Sequence, residues 1–210
     1  MKKGLISPFM VILFAILLGS ALLYFFPIKP LPAPDGEYKI GLRILELKML
    51  KKELATDNPD DRRRILIDIW YPAEETSGYE PSYWLREPTY FKAMEGTHDI
   101  LKLLTQHAGQ VRTNSYINAP TKSNSGNGYP VIILLPGTPS LVSLYFNYAE
   151  KLASHGYIVV GLEQTYANIA VEFADETVIF DRSTEATLID RISKAETEDE
   201  RMQDTFQYPF

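Results

Sequence analysis

The spacing of hydrophobic positions changes several times along this chain, and each spacing predicts a different element. From Leu5 to Phe26 the apolar run is continuous, with no Asp, Glu, Lys or Arg. A helix over that run rises about 33 Å, enough to cross a bilayer core. From Tyr38 to Lys48 the period is two: Ile40, Leu42 and Ile44 alternate with Lys39, Gly41 and Arg43, as in a half-buried strand. A second strand follows Arg62, Arg63 and Arg64. In it Ile65, Ile67 and Ile69 share one face, Leu66, Asp68 and Trp70 share the other, and Pro72 closes it. Between the two lie residues 49–61, charged and ending in the turn signal N-P-D-D, so the strands are expected to pair as an antiparallel hairpin with a long connection. Residues 73–89 read as a loop. Phe91 to Gln110 takes helical spacing, with Ile100, Leu103, Leu104 and His107 on one face.

Beyond a Gly/Asn/Ser-rich surface loop at 118–129, Val131 to Leu135 is apolar without alternation, which predicts a strand covered on both faces. Ser143 to Ser154 reads as a helix, with Gly156 placed to end it. Ile158 to Leu162 is the next buried strand, so the two strands and the helix predict a right-handed βαβ unit. A charged helical pattern runs from Thr184 to Phe206.

The N-terminal charges change the reading of the first run. Lys2 and Lys3 precede it and only Lys29 soon follows, which favours the N-terminus inside and the body on the non-cytoplasmic side. A cleaved signal peptide, with Gly19-Ser20-Ala21 as the cleavage region and a secreted or periplasmic product, is the competing reading. The apolar run continues to Phe26, which favours an uncleaved signal anchor. The expected organisation is a short cytoplasmic N-terminus (1–4), a transmembrane helix (5–26), a stiff Pro-rich linker (27–37) and a body (38–210).

Net charge is −6, and residues 172–204 hold eleven Asp and Glu against four Lys and Arg. No nucleic-acid partner is expected from such a balance, and the acidic run reads as a solvated helical face. The three arginines at 62–64 are open to an anionic ligand, but Glu53, Asp57, Asp60 and Asp61 make a surface charge cluster the favoured reading. The chain has no cysteine, which removes disulfides, thiolate metal sites and cysteine nucleophiles. His98 and His107 fall on opposite faces of one helix, so no metal pair is expected. Glu163, at the end of a buried strand, is a candidate ligand contact. No G-x-G-x-x-G precedes it, so no cofactor is expected.

Three segments occur in order: R-R-R-I-L-I-D-I-W-Y-P-A (62–73), Y-P-V-I-I-L-L-P-G (129–137) and L-A-S-H-G-Y-I-V-V-G-L-E (152–163). Together they resemble the platelet-activating-factor acetylhydrolase group of α/β-hydrolases, over roughly Tyr38 to Phe206. The resemblance implies the N-terminal half of an α/β-hydrolase sheet with flanking helices. It also implies a serine esterase acting on short-acyl phospholipids or similar small esters. It assigns Thr138 as one oxyanion-hole N–H donor and Gly137 as the residue shaping that loop; Pro136 stands where the family has histidine. An ordinary Pro-stiffened strand-to-helix loop is the alternative. His155 is not expected to be the catalytic base, because in this superfamily the histidine follows the nucleophile.

G-x-S-x-G occurs nowhere in the 210 residues. The expectation is therefore the N-terminal portion of a membrane-anchored carboxylic-ester hydrolase, inactive as this chain because serine, acid and histidine are absent. A non-catalytic, membrane-anchored interaction module on the same scaffold is the alternative, and a tethered small-ligand binder a third reading. The strand at Val131–Leu135 is expected to be an exposed apolar edge that a protein partner would cover.

Overall fold

The computed structural model describes residues 8–25, 31–86, 109–124, 126 and 128–194. The chain divides into two compact units, Met1–Pro30 and Leu31–Phe210. In the first, α1 (Pro8–Phe25) is an 18-residue helix without a charged residue. It rises about 27 Å, a few ångströms short of a typical hydrocarbon core of about 30 Å. Among the described residues no helix is long and apolar enough to cross a membrane. The expected span of 5–26 is thus not found as such; Leu5–Ser7 and Phe26 lie outside the described residues.

In the second unit the two period-two stretches pair as their patterns require. Strands β1 (Lys39–Lys52) and β2 (Arg62–Ala73) run antiparallel, registered from Lys39 opposite Ala73 to Lys48 opposite Arg64. They belong to a six-stranded sheet completed by β3 (Pro81–Tyr83), β4 (Arg112–Ile117), β5 (Val131–Leu134) and β6 (Ile158–Gln164), in the order β3-β4-β1-β2-β6-β5. β6 is antiparallel to β2 and parallel to β5, so β1, β5 and β6 all point the same way.

The helix between β5 and β6 starts as a 3₁₀ turn at Val142–Tyr145 and continues as α2 (Phe146–Ser154). Ala149, Glu150 and Ala153 are spaced to share one face, and all three are buried. The two alanines close a core with Ile40, Leu42, Trp70, Val142 and Val159. The helix ends as its sequence predicts: Gly156 takes φ +88°, and the N–H groups of His155, Gly156 and Tyr157 satisfy its last carbonyls. The contact with the sheet is close. A Cβ on Gly161 of β6 would lie 2.5 Å from Val142 Cγ1.

Several expectations are corrected. Val131–Leu135 is not covered on both faces. Ile132 and Leu134 are half-buried, but Val131, Ile133 and Leu135 are 60%, 64% and 55% exposed. α2 packs on one face, and among the described residues β5 is the edge strand that was expected. The loop at 73–89 contains β3, and β4 is an additional strand; both are short and too polar to show a period. Part of the acidic run forms a small hairpin of β7 (Ala170–Glu172) and β8 (Thr177–Ile179) rather than a helical face. The buried Val171 and Phe173, packed with Leu66, account for it. The last described helix, α3 (Arg182–Lys194), starts two residues before the charged helical pattern and covers its first part; the remainder of that pattern is outside the described residues. So is the expected helix at Phe91–Gln110, with His98 and His107, except for a short turn at Gly109–Gln110.

Candidate active site at the carboxyl end of the parallel strands

Parallel strands β5 and β6 are neighbours, with Val131 opposite Ile158 and Leu134 opposite Gly161, so the loops after them emerge side by side. The first loop runs from Leu135 to Leu141 and carries Gly137 and Thr138. Its Thr138–Pro139 peptide is cis. The Thr138 N–H donates to no group among the described residues. Gly137 does not use the left-handed backbone region, and a side chain there would meet open space. The loop is therefore accessible along its outer side.

One buried residue fastens this loop to the loop after β6. Asn168 Oδ1 accepts from the Gln164 N–H at 2.7 Å, and its Nδ2 donates to the Ser140 carbonyl at 3.1 Å. The Ile169 N–H adds a second bond to the same carbonyl at 2.9 Å. Tyr166, in the same turn, holds φ at +63°, an uncommon conformation for a non-glycine residue. Ser140, two residues beyond Thr138, is thus held by two donors from the loop after β6. Nothing in the periodicity marked Asn168; its signal is only an Asn in a short loop, where side-chain bonds to backbone are common.

Beneath these loops lies a buried charge network. Arg86 donates from Nη1 to Asp68 Oδ1 at 2.9 Å and from Nη2 to Asp68 Oδ2 at 2.8 Å, and Nη2 also reaches Glu163 Oε1 at 2.7 Å. Asp68 and Glu163 are buried. Burial pushes the Glu163 carboxyl up to about 7, against the pull of Arg86, and nearby Asp68 adds to the rise. Burial likewise raises Asp68 above its usual range, again against Arg86. Glu163 is therefore engaged by Arg86. Arg86 also stands in the wall of a cavity of about 620 Å³, with Leu66 and Phe173 among its apolar walls and Tyr83 and Gln110 among its polar ones.

The arginine cluster is corrected in the same region. Arg63 is buried rather than superficial; its Nη1 meets Glu53 Oε2 at 3.2 Å and the Thr165 carbonyl at 2.8 Å. The sheet pleat explains this, because three consecutive residues cannot all face water at the base of a paired strand. Arg64 lies over the Phe173 ring at 3.9 Å and pairs with Glu46, Asp175 and Glu176. His155 sits at the opposite end of the sheet, before β6, where its Nδ1 is 2.8 Å from the Lys151 carbonyl.

A family model described as platelet-activating factor acetylhydrolase, isoform II, matches residues 24–205. A probable 1-alkyl-2-acetylglycerophosphocholine esterase of Arthroderma benhamiae is 25% identical over 159 residues, covering 71% of this chain and 40% of that protein. Platelet-activating factor acetylhydrolase of Cavia porcellus is 29% identical over 111 residues, covering 51% of this chain and 25% of that protein. The chain thus spans less than half the length of these relatives. Among solved structures, a ferulic acid esterase from Streptomyces cinnamoneus superposes with a TM-score of 0.55 at 23% identity, over 79% of this chain and 47% of that one. That likeness, with the strand order, makes the fold a mixed α/β fold of the α/β-hydrolase type.

Proposed function

The chain belongs to the platelet-activating factor acetylhydrolase, isoform II family, and from that premise we propose that it supplies the N-terminal part of a carboxylic-ester hydrolase for short-acyl, phospholipid-type esters. The observation that carries this reading is the Thr138 N–H, without an acceptor among the described residues, at the carboxyl end of β5. In ester hydrolysis a nucleophile adds to the acyl carbonyl, and charge collects on the carbonyl oxygen. A fixed N–H aimed at that oxygen lowers the barrier, by about 3–4 kcal/mol per donor in an intact site. Thr138 is proposed for that role, with Gly137 keeping the outer side of the loop open to substrate.

A hydrolase of this type also needs a nucleophile, and G-x-S-x-G is absent from the 210 residues. The reading therefore includes no turnover by this chain on its own. Membrane attachment through residues 5–26, with the body on the non-cytoplasmic side, belongs to the same proposal. It is supported by the uncharged run and by the lysines before it.

The test is an assay of the purified chain with 1-alkyl-2-acetylglycerophosphocholine and with a serine-directed fluorophosphonate. The expected result is neither acetate release nor covalent labelling. Labelling of the 210-residue chain overturns the claim that it holds no nucleophile. One observation favours a second reading, a non-catalytic interaction module: among the described residues β5 is the last strand of the sheet, with Ile133 64% exposed. Recovery of the chain in a stable complex with a protein that protects Val131–Leu135 from hydrogen exchange would select it.

A further inference from the structure

We propose that a small cavity between the end of β6 and the 3₁₀ turn leading into α2 binds a single water molecule, which joins Glu163 to Ser143. The proposal concerns the scaffold behind the Thr138 loop and does not rest on ester hydrolysis. Arg86, Ser143, Glu163 and Glu172 form the polar lining of this cavity, and the buried Leu141 and Ala170 stand among its apolar walls. It measures about 20 Å³. One water needs about 10–15 Å³ and two to four polar partners.

Two of the lining residues carry groups that no other residue satisfies. Glu163 is only 4% exposed. Its Oε1 accepts from Arg86 Nη2, while its Oε2 has no hydrogen-bond partner among the described residues. Leaving a buried carboxyl oxygen in that state is costly. Ser143 is the second residue of the turn Val142–Tyr145, which has no side-chain cap. Its N–H is one of the donors that a helix start leaves without an internal acceptor. Neither that N–H nor the Ser143 hydroxyl has a partner among the described residues. The Ser143 carbonyl accepts from Trp84 Nε1 at 2.9 Å, which fixes the residue in place.

A carboxyl oxygen and an N–H in the wall of one cavity need a group that donates to the first and accepts from the second. Water does both, and it serves the carboxyl with or without its proton. The Arg86 guanidinium in the same wall disfavours a cation, and Glu163 and Glu172 disfavour an anion. Glu172 has a partner of its own, so it adjoins the site without being needed to complete it. The position gives the water a structural task. Asn168 and Ile169 already hold the Ser140 carbonyl. A water on Ser143 fastens the chain to β6 a second time, three residues further on, where the Thr138 loop passes into the helix.

The test is a crystal structure of the full-length chain, at a resolution that shows ordered water, together with two substitutions at Ala170. One density peak is expected within about 2.6–3.2 Å of both Glu163 Oε2 and the N–H or hydroxyl of Ser143. No peak, or a direct bond between Glu163 and Ser143, overturns the proposal. So does an anomalous signal at the peak after exchange into rubidium, which would assign a cation. Ala170→Ser offers a hydroxyl in the water's place, whereas Ala170→Cys offers a thiol of similar size that hydrogen-bonds weakly. With a bound water, the unfolding constant of the serine variant, read from urea titrations, should stay within about threefold of the unsubstituted protein. That of the cysteine variant should rise by about tenfold or more, because the displaced water leaves Glu163 and Ser143 unpaired. Equal effects, or the cysteine variant the more stable of the two, would mark a dry void and overturn the proposal.

Discussion

At the scale of single residues, the decisive groups are the charges that the fold takes out of water. Asp68 stands on the apolar face of its strand between Leu66 and Trp70, and that position signals that a cation must reach it. Nothing in the local sequence says that the cation is Arg86, which arrives from beyond β3. Replacing Arg86 with Met leaves two buried carboxyls without their shared partner, and a loss of about 3–5 kcal/mol is expected in urea unfolding. Glu163 makes a pH prediction. Its folded carboxyl titrates at about 7, above the ordinary 4.5, so the folded state holds the proton more tightly than the unfolded chain. Its contribution is fully present below about 4.5, falls as pH rises towards about 7, and is flat above. Glu163→Gln should flatten the stability profile in that window, as read by the difference in urea midpoint between the two proteins at each pH. An unchanged slope would show that Glu163 does not carry it.

At the scale of elements, the strands and helix with strong periodicity were legible, and those without it were not. β1 and β2 follow from alternation, β6 from its continuous apolar run, and α2 from the helical pattern that Gly156 ends. β3 and β4 have too few apolar positions to declare a period, and they exist because neighbours supply their partners. Asn114 and Ser115 of β4 donate to Glu150 of α2, with the Ser115 hydroxyl at 2.5 Å and the Asn114 N–H at 2.7 Å. Glu150→Ala should strand these buried donors and cost about 1–3 kcal/mol; a thermal melt of the variant checks it. The packing of the 3₁₀ turn on β6 makes a sharper prediction. Gly161→Ala would bring a methyl to 2.5 Å from Val142 Cγ1 and 3.1 Å from Trp70 Cζ3. It should destabilise by about 1–3 kcal/mol through overpacking, and Val142→Ala in the same chain should restore part of the loss.

At the scale of the whole molecule, α2 covers one face of the sheet, while on the other Ile65, Ile67 and Ile69 are only half-buried among the described residues. Leu45, Leu47, Val131 and Ile133 are all more than two-fifths exposed on that second face or its edge. A chain beginning at Asp35 is therefore expected to associate, with Ile133→Lys lowering the association seen by light scattering. The same substitution should change unfolding stability by no more than about 0.5 kcal/mol, since the side chain has little to lose. The sequence by itself determined the apolar N-terminal run, the β1–β2 hairpin, the strand–helix–strand unit around Thr138 and the absence of G-x-S-x-G. All of these are local: they depend on period, turn residues and motif spacing within a few tens of positions. Only the tertiary structure decided that Arg63 is buried, that Arg86 joins Asp68 to Glu163, and that Asn168 fastens the Thr138 loop. The physical reason is that a charge or an amide in a loop has no period. Its partner is chosen by which strands the sheet brings side by side, and those contacts join residues far apart in the chain.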